Sequence, residues 1–396
     1  MQSRKKVVII AQRYGITPAI FGGAVESLIG SLAENNEIHH AIDLTIIQSY
    51  NAKARELTKK FKDTKFVFLR DSILGKLDFR IFGQRKNEEF MKGHIFSEYI
   101  YKSYRYIKKN IPDVDVIIFE EDSQIIGYKK FQRQFPGKVA YHSHLHEKPK
   151  KNIYYDYVIT VSEFCRREWL DLLPESKVLV LRNGVNLSRF EKRLSQDEKT
   201  QLRASLGITT DDFIVLYCGR LIPIKGVLEL AMAITEIPER NIRLLCVGSS
   251  GFSGGGETAY TEHIHALALK NTGRIIFTGY VNNEELYKYH QISDIQVIPS
   301  LCEDAAPLVP IEGMCSGLPL IVTDSGGMIE YIDDACALVV SRDDIVKNLT
   351  KAIMRAKADD AWRRKASHEG PLRAEKFSEE AFYRNFVSLI ETIASK

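Results

Sequence analysis

The sequence predicts an α/β protein made of two doubly wound parallel sheets. Two observations carry this. The apolar, β-branched run Lys6–Ala11 (KVVIIA) has the character of a buried first strand, and Phe213–Gly219 (FIVLYCG) repeats that character in the second half. After each, short apolar runs alternate with longer polar segments of helical character, the pattern of βαβ units. Length agrees: 396 residues exceed one compact core and fit two domains of roughly 200 residues each.

In the first half the expected strands after Lys6–Ala11 are Leu44–Ile47, Phe66–Leu69, Val114–Phe119, Val139–His142, Tyr157–Val161 and Val178–Leu181. Between the first strand and a helix at Ala24–Leu32 lies a glycine pair, Gly22-Gly23. Glycine there lets a ligand approach backbone N–H groups at a helix start, although no GxGxxG is present. The segment Lys92–Lys109, rich in Tyr and Lys, reads as an amphipathic surface helix. An Asn183-Gly184 turn marks a boundary, and residues 191–210 read as a linker helix ending at Gly207. In the second half the strands after Phe213–Gly219 are Arg243–Gly248, Arg274–Thr278, Ile295–Ile298 and Leu320–Val322. Helices are expected at Val227–Thr235, from Thr258, at Glu284–Ile292, from Glu312 and at Phe377–Ile393. The domains are therefore drawn at 1–188 and 189–376, with residues 377–396 forming an amphipathic terminal helix.

Composition narrows the class. Hydrophobic residues make up 44% and charged residues 27%, ordinary for a soluble globular protein. No apolar run approaches the ~20 residues of a membrane span, and the N-terminal apolar run is too short for a signal peptide. The six cysteines show no CxxC pairing and read as free thiols in a reducing cytoplasm. Net charge is only +4 but uneven: residues 1–190 carry +10 and the rest −6. A basic first domain suits an anionic membrane or an anionic acceptor. Nucleic acid is not expected, because no helix-turn-helix, zinc-finger or RNP pattern occurs.

Three groups of residues carry chemistry. His142, His144 and His146 alternate at the end of a strand and point to one side. Zinc is disfavoured, since i, i+2, i+4 positions on one strand seldom converge on an ion and no carboxylate is evidently placed. A single histidine serving a substrate is the better reading. Arg220 and Lys225 share the loop after the first strand of the second domain, where two cations suit a diphosphate. The third group is the stretch Pro299–Glu330. Glu303 and Asp304 precede a loop, and Glu312 follows at the start of a helical segment. Backbone N–H groups at Leu308 and Val309 would meet a phosphate there.

These residues also carry a resemblance. GRLIPIKG, FTGYVNNEELYKYHQISDIQVIPS and EDAAPLVPIEGMCSGLPLIVTDSGGMIE resemble the donor-domain motifs of family-4 retaining glycosyltransferases of the GT-B fold, including the E-x7-E signature. In the first half FGGAVES resembles the family's GG-x-E loop, and the strand ending in HSH its strand with an active-site histidine. SEFCRREW and VLRNGVNLSRF resemble its hinge. The resemblance implies two Rossmann-like domains facing across a cleft, with the terminal helix returning to the first. It implies transfer of a hexosyl unit, with retention and without metal or other cofactor, from a nucleotide sugar. A UDP-sugar is favoured as donor and a glycan or lipid-linked saccharide as acceptor. The setting would be cell-envelope polysaccharide assembly in the cytoplasm, at the inner face of the membrane. Arg220 and Lys225 would hold the diphosphate, Glu312 the ribose, and Gly22 and Gly23 would lie beside the phosphates. Gly219, Gly248, Tyr280, Val281 and the loop Ala306, Pro307, Leu308 and Val309 complete the donor-binding set. The sequence departs from the signature in two places: its first acid is Asp304, with Glu303 adjoining, and Ala306-Pro307 replaces the usual Phe-Gly. The sugar-side acid is thus Asp304 or Glu303, and the acceptor-side histidine His142 or His144. The alternative is a catalytically degenerate subunit that stabilises a partner transferase.

Overall fold

A computed structural model describes residues 3–13, 15–20, 23–72, 98–120, 136–146, 155–251 and 256–395. It divides into two compact units, Met1–Arg182 with Phe382–Lys396, and Asn183–Ala381.

The first unit holds a seven-stranded parallel sheet: β1 (Lys5–Ile10), β2 (Ile42–Ser49), β3 (Lys65–Leu69), β4 (Val116–Phe119), β5 (Lys138–Ser143), β6 (Tyr157–Thr160) and β7 (Val178–Val180). Their order is β3-β2-β1-β4-β5-β6-β7. The helices are α1 (Ala24–His39), α2 (Ala52–Leu57), α3 (Glu98–Asn110) and α4 (Glu163–Arg167). Both sheet faces are covered, so β1 and β4 read as continuous apolar runs. Val7 and Ile9 face one core with Leu28, Ile29 and Leu32 of α1; Val8 and Ile10 face the other with Tyr99 and Ile107 of α3.

The second unit repeats the plan with six parallel strands: β8 (Phe213–Cys218), β9 (Ile242–Val247), β10 (Ile275–Gly279), β11 (Ile295–Ile298), β12 (Leu320–Thr323) and β13 (Ala337–Val340), ordered β10-β9-β8-β11-β12-β13. Its helices are α5 (Ser188–Glu191), α6 (Gln196–Ser205), α7 (Val227–Glu236), α8 (Ala259–Lys270), α9 (Leu286–Gln291), α10 (Val309–Cys315), α11 (Ile345–Ala358) and α12 (Asp360–Ala374). α13 (Glu379–Ala394) begins here, and from Phe382 onward it belongs to the first unit, where Phe382, Tyr383, Phe386, Leu389, Ile390 and Ile393 join the core against β1 and α1.

Each sheet therefore reverses its winding beside its first strand, between β1 and β4 in one unit and between β8 and β11 in the other. The crevice outside the strand ends at such a point is where doubly wound sheets bind ligands.

The structure departs from the sequence expectation in places. The division falls after Arg182 and Ala381 rather than 188 and 376. Val185 donates to Phe377 O and accepts from Glu379 N, so the backbone ties residues just past the Asn-Gly turn into the second unit. β13, α11 and α12 were not expected. Pro371 interrupts the helical pattern of α12. α10 starts at Val309, before Glu312, because Pro310 is favourable in a first turn. Of the Lys92–Lys109 helix, 92–97 lie outside the described residues.

Each unit contains one tryptophan, Trp169 and Trp362. Phe386→Ala empties a fully buried site at a cost of about 3–5 kcal/mol. It should lower the urea midpoint reported by Trp169 in a W362F background and leave the midpoint reported by Trp362 in a W169F background unchanged.

Candidate active site

In the second unit the site is built on the carboxyl ends of β8 and β11. These strands pair in parallel, Ile295 with Val215 and Gln296 with Leu216. Beyond their ends the loops stay joined, since Leu301 N donates to Ile224 O at 2.9 Å. Gly226 makes the fit: its φ is 68°, and a Cβ there would lie 1.9 Å from Pro299 O. Only glycine allows that approach in that conformation.

Lys225 and Asp304, 79 residues apart in sequence, thereby meet. Lys225 Nζ donates to Asp304 Oδ1 at 2.5 Å, and Ser300 Oγ donates to Oδ2 at 2.5 Å. The Asp304 backbone is held as well: its N–H donates to Ser325 Oγ at 3.0 Å and its carbonyl accepts from Gly327 N at 2.8 Å. Glu303 is engaged elsewhere. Its carboxylate accepts from Arg342 Nη2 at 2.6 Å and from Gly326 N at 2.6 Å. Of the two adjacent acids, Asp304 is thus the one beside the lysine, while Glu303 ties the loop to Gly326 and Arg342. The sequence left this open because both acids precede the same loop.

Arg220 lies on the same loop as Lys225, with its carbonyl accepting from Tyr217 OH at 2.6 Å. Gly219 and Gly248 lie at the ends of β8 and β9, where a Cβ on Gly248 would come 2.0 Å from Gly219 O. Tyr280 is half exposed after β10, and Val281 packs against the core. Ala306, Leu308 and Val309 pack on that core too. Asn183 Nδ2 donates to Ala306 O at 3.0 Å, so the Asn-Gly turn that marked a boundary in sequence also fixes the loop before α10. Pro307 ends that loop one residue before Leu308, whose carbonyl accepts from Ile311 and Glu312 N–H. Glu312 sits in the first turn of α10, and its carboxylate makes no hydrogen bond among the described residues. Burial raises its pKa, and Arg189 offsets that only in part.

In the first unit a second polar group lies at the ends of β4 and β5. Glu120 Oε2 is 3.1 Å from His142 Nδ1 and 2.6 Å from His144 Nε2. Glu120 and His142 are buried and His144 nearly so, with side-chain exposures of 2%, 3% and 10% in that order. Here the sequence reading is corrected. A carboxylate is placed among the histidines, contributed by the neighbouring strand, and the three ligand atoms lie within 4.8 Å of one another. His146 goes elsewhere, to Glu168 at 3.3 Å, because β5 ends at Ser143 and the alternation ends with it. Gly23 precedes α1 with φ 125°; Gly22 lies outside the described residues. Sequence reasoning missed Glu120, Ser300, Ser325, Arg342 and Asn183. Only Glu120 left a signal, as a carboxylate directly after an apolar strand.

Comparison with known proteins follows this geometry. The whole chain superposes on solved structures of one architectural class, two Rossmann-like domains of the GT-B type. A glycosyltransferase from Rickettsia africae matches with TM-score 0.78 and 19% identity over 99% of both chains. The Anabaena protein HepE in complex with UDP matches with TM-score 0.74 and 16% identity over 98% of this chain and 100% of that one. Residues 198–373 then match the family model of glycosyl transferases group 1. An uncharacterized glycosyltransferase of Methanocaldococcus jannaschii is 36% identical over 179 residues, 44% of each chain. A lipopolysaccharide 1,2-N-acetylglucosaminetransferase of Salmonella typhimurium is 28% identical over 254 residues, 60% of this chain and 66% of that one. The chain thus spans about half to two thirds of the length of these two relatives.

The Glu312 carboxyl gives a test. A raised folded-state pKa means that its contribution to stability is fully present below the ordinary glutamate value and is lost as pH rises through the folded value. Glu312→Gln should therefore melt about 2 °C or more above the wild type at neutral pH. The advantage should vanish in melting scans at pH 4 and below.

Proposed function

We propose that the chain is a retaining glycosyltransferase. It moves a hexosyl unit from a nucleotide sugar, a UDP-sugar by preference, to a hydroxyl of a glycan or lipid-linked saccharide. The observation that carries this reading is the Lys225–Asp304 pair at the winding reversal of the second sheet, with Arg220 on the loop of Lys225 and the half-buried Glu312 on α10, after the loop of Asp304. A cationic side chain held against a carboxylate suits a donor with both an anionic and a hydroxylated part. Lys225 and Arg220 take the diphosphate, Asp304 the sugar hydroxyls and Glu312 the ribose hydroxyls. The group 1 family match over residues 198–373 and the UDP complex of HepE support the same donor class.

In this mechanism the sugar–oxygen bond to the diphosphate breaks as the acceptor oxygen bonds to the same face of the anomeric carbon. The departing phosphate oxygen takes the acceptor proton, which retains the configuration and needs no protein nucleophile. Lys225 and Arg220 stabilise the charge that develops on the leaving diphosphate, without metal. A histidine of the first unit, His142 or His144, bonds a sugar hydroxyl. The acceptor is assigned to the cell envelope. The Salmonella relative acts on lipopolysaccharide by its name, and the first 190 residues carry a net charge of +10. No helix among the described residues is long and apolar enough to cross a membrane. The proposed setting is the cytoplasm, with peripheral attachment of the basic first domain at the inner face of the membrane. The degenerate-subunit alternative has no observation of its own, since Arg220, Lys225, Asp304 and Glu312 are all present.

A screen of UDP-, GDP- and ADP-sugars should show one UDP-sugar consumed in the presence of a saccharide acceptor; consumption of none overturns the reading. Lys225→Ala should lower kcat/KM by about 10²–10³-fold. Asp304→Asn should cost about 10-fold to 10²-fold in transfer, whereas Glu303→Gln should act mainly on the thermal stability of the loop, read by limited proteolysis.

A further inference from the structure

We propose that the outer edge of the first sheet, formed by β3 and the exposed flank of α3, docks the chain onto an anionic lipid surface. This deepens the membrane setting proposed above and rests on it for the partner, but not on the transfer chemistry.

Residues 65–70 and 98–110 carry six basic side chains, Lys65, Arg70, Lys102, Arg105, Lys108 and Lys109, against one acid, Glu98. The fold sets them on one continuous surface. β3 is the end strand of its sheet, and just past its carboxyl end Arg70 O accepts from Lys102 Nζ of α3 at 2.6 Å. At the start of the strand, Lys65 Nζ lies 5.7 Å from the centre of the Tyr106 ring. Tyr101, Arg105, Lys108 and Lys109 are exposed, at i, i+4, i+7 and i+8 along one flank of α3. The acid is already engaged: Glu98 accepts from Lys102 Nζ at 2.8 Å and from Ser72 N and Oγ at 3.0 Å. Lys65, Arg70, Arg105, Lys108 and Lys109 have no acidic partner among the described residues.

The tyrosines say what the charge is for. Arg70 lies 4.0 Å from the centre of the Tyr50 ring, Arg105 6.0 Å from that of Tyr101, and Lys108 5.9 Å from that of Tyr104. Blunting an edge strand needs charge on the strand itself, which Lys65 and Arg70 supply. It does not need Tyr101, 43% exposed, on the flank of a neighbouring helix. Tyrosine joins an apolar ring to a polar tip and is at home at the level of lipid headgroups. A nucleic acid would stack its bases on open ring faces; here each ring already has a cation of the chain itself against it. Between the end of β3 and α3 a recess of about 430 Å³, lined by Leu69, Glu98, Tyr101, Lys102 and Arg105, offers a seat for one headgroup phosphate.

The contact is electrostatic and does not insert the helix. Tyr99 and Ile107, on the apolar face of α3, are buried in the core with Val8 and Ile10, so only the polar flank reaches the lipid. Each Lys or Arg near an anionic surface strengthens attachment about fivefold. The attraction falls off within a Debye length, so salt weakens it.

The test is co-flotation of the full chain with vesicles of equimolar phosphatidylglycerol and phosphatidylcholine, beside vesicles of phosphatidylcholine alone. The chain should float with the mixed vesicles only, and raising salt from about 0.05 to about 0.5 M should release it. Arg105→Gln combined with Lys108→Gln and Lys109→Gln should lower the partition coefficient about 10²-fold, at about fivefold per charge. Removing as many charges from α11, by Lys347→Gln, Lys351→Gln and Arg355→Gln, should change it less than about twofold. The Trp169 unfolding transition confirms that the α3 variant folds. Failure to float with the mixed vesicles, equal flotation with phosphatidylcholine alone, binding that survives high salt, an α3 variant that floats like the wild type, or an equal loss in the α11 variant would each overturn the proposal. So would tighter binding to a mixed-sequence single-stranded RNA than to the vesicles. The assay needs neither donor nor acceptor. A chain that floats but transfers from no donor fails the transfer reading, and one that transfers without floating fails this one.

Discussion

The parallel pairing of β8 with β11 is the constraint on which the candidate site depends. Two strands from opposite sides of the winding reversal run side by side, and their following loops remain in backbone contact through Leu301 and Ile224. Gly226 permits that contact by presenting no Cβ to the Pro299 carbonyl. Lys225 and Asp304 then follow in register one residue and a few residues beyond it. The serines at 300 and 325 leave Asp304 little freedom, so the pair is already oriented, and a ligand bound there would have little ordering to supply.

The first unit applies the same geometry to a different chemistry. Neighbouring parallel strands again end together, but the side chains delivered are a carboxylate and two imidazoles in nearly buried surroundings rather than a half-buried cation and a carboxylate. Burial matters to the outcome. It pushes His144 toward its neutral form, and His142 Nε2 is left buried without a hydrogen-bond partner among the described residues, a costly position for a polar atom.

Much of this was legible in the sequence. KVVIIA and FIVLYCG announce buried first strands because both sheet faces are covered, and the alternation that follows admits little but a doubly wound sheet. Arg220 and Lys225 stood out as two cations on the loop after a first strand, Glu312 as an acid at the start of a helical segment, and all three through the motifs that resemble a donor domain. What the sequence withheld depends on lateral pairing. Glu120 belongs with His142 only once β4 is known to lie beside β5 in a given register. Asp304 separates from Glu303 only once Arg342, on the loop after β13, is seen to engage the latter. The proline-bearing α12 was hidden for a local reason, since Pro371 interrupts the period that marks a helix.

The course of α13 bears on how the chain is made. The core of the first unit is not complete until Phe382–Ile393 arrive, and Tyr383 donates its hydroxyl proton to Asn36 across 347 residues of sequence. The second unit, whose residues run without interruption from Asn183 to Ala381, has all its parts while α13 is still emerging from the ribosome. Synthesis from the N-terminus therefore delivers the middle of the chain ready to fold before its beginning can close, with the apolar strip of α1 waiting for its last partner.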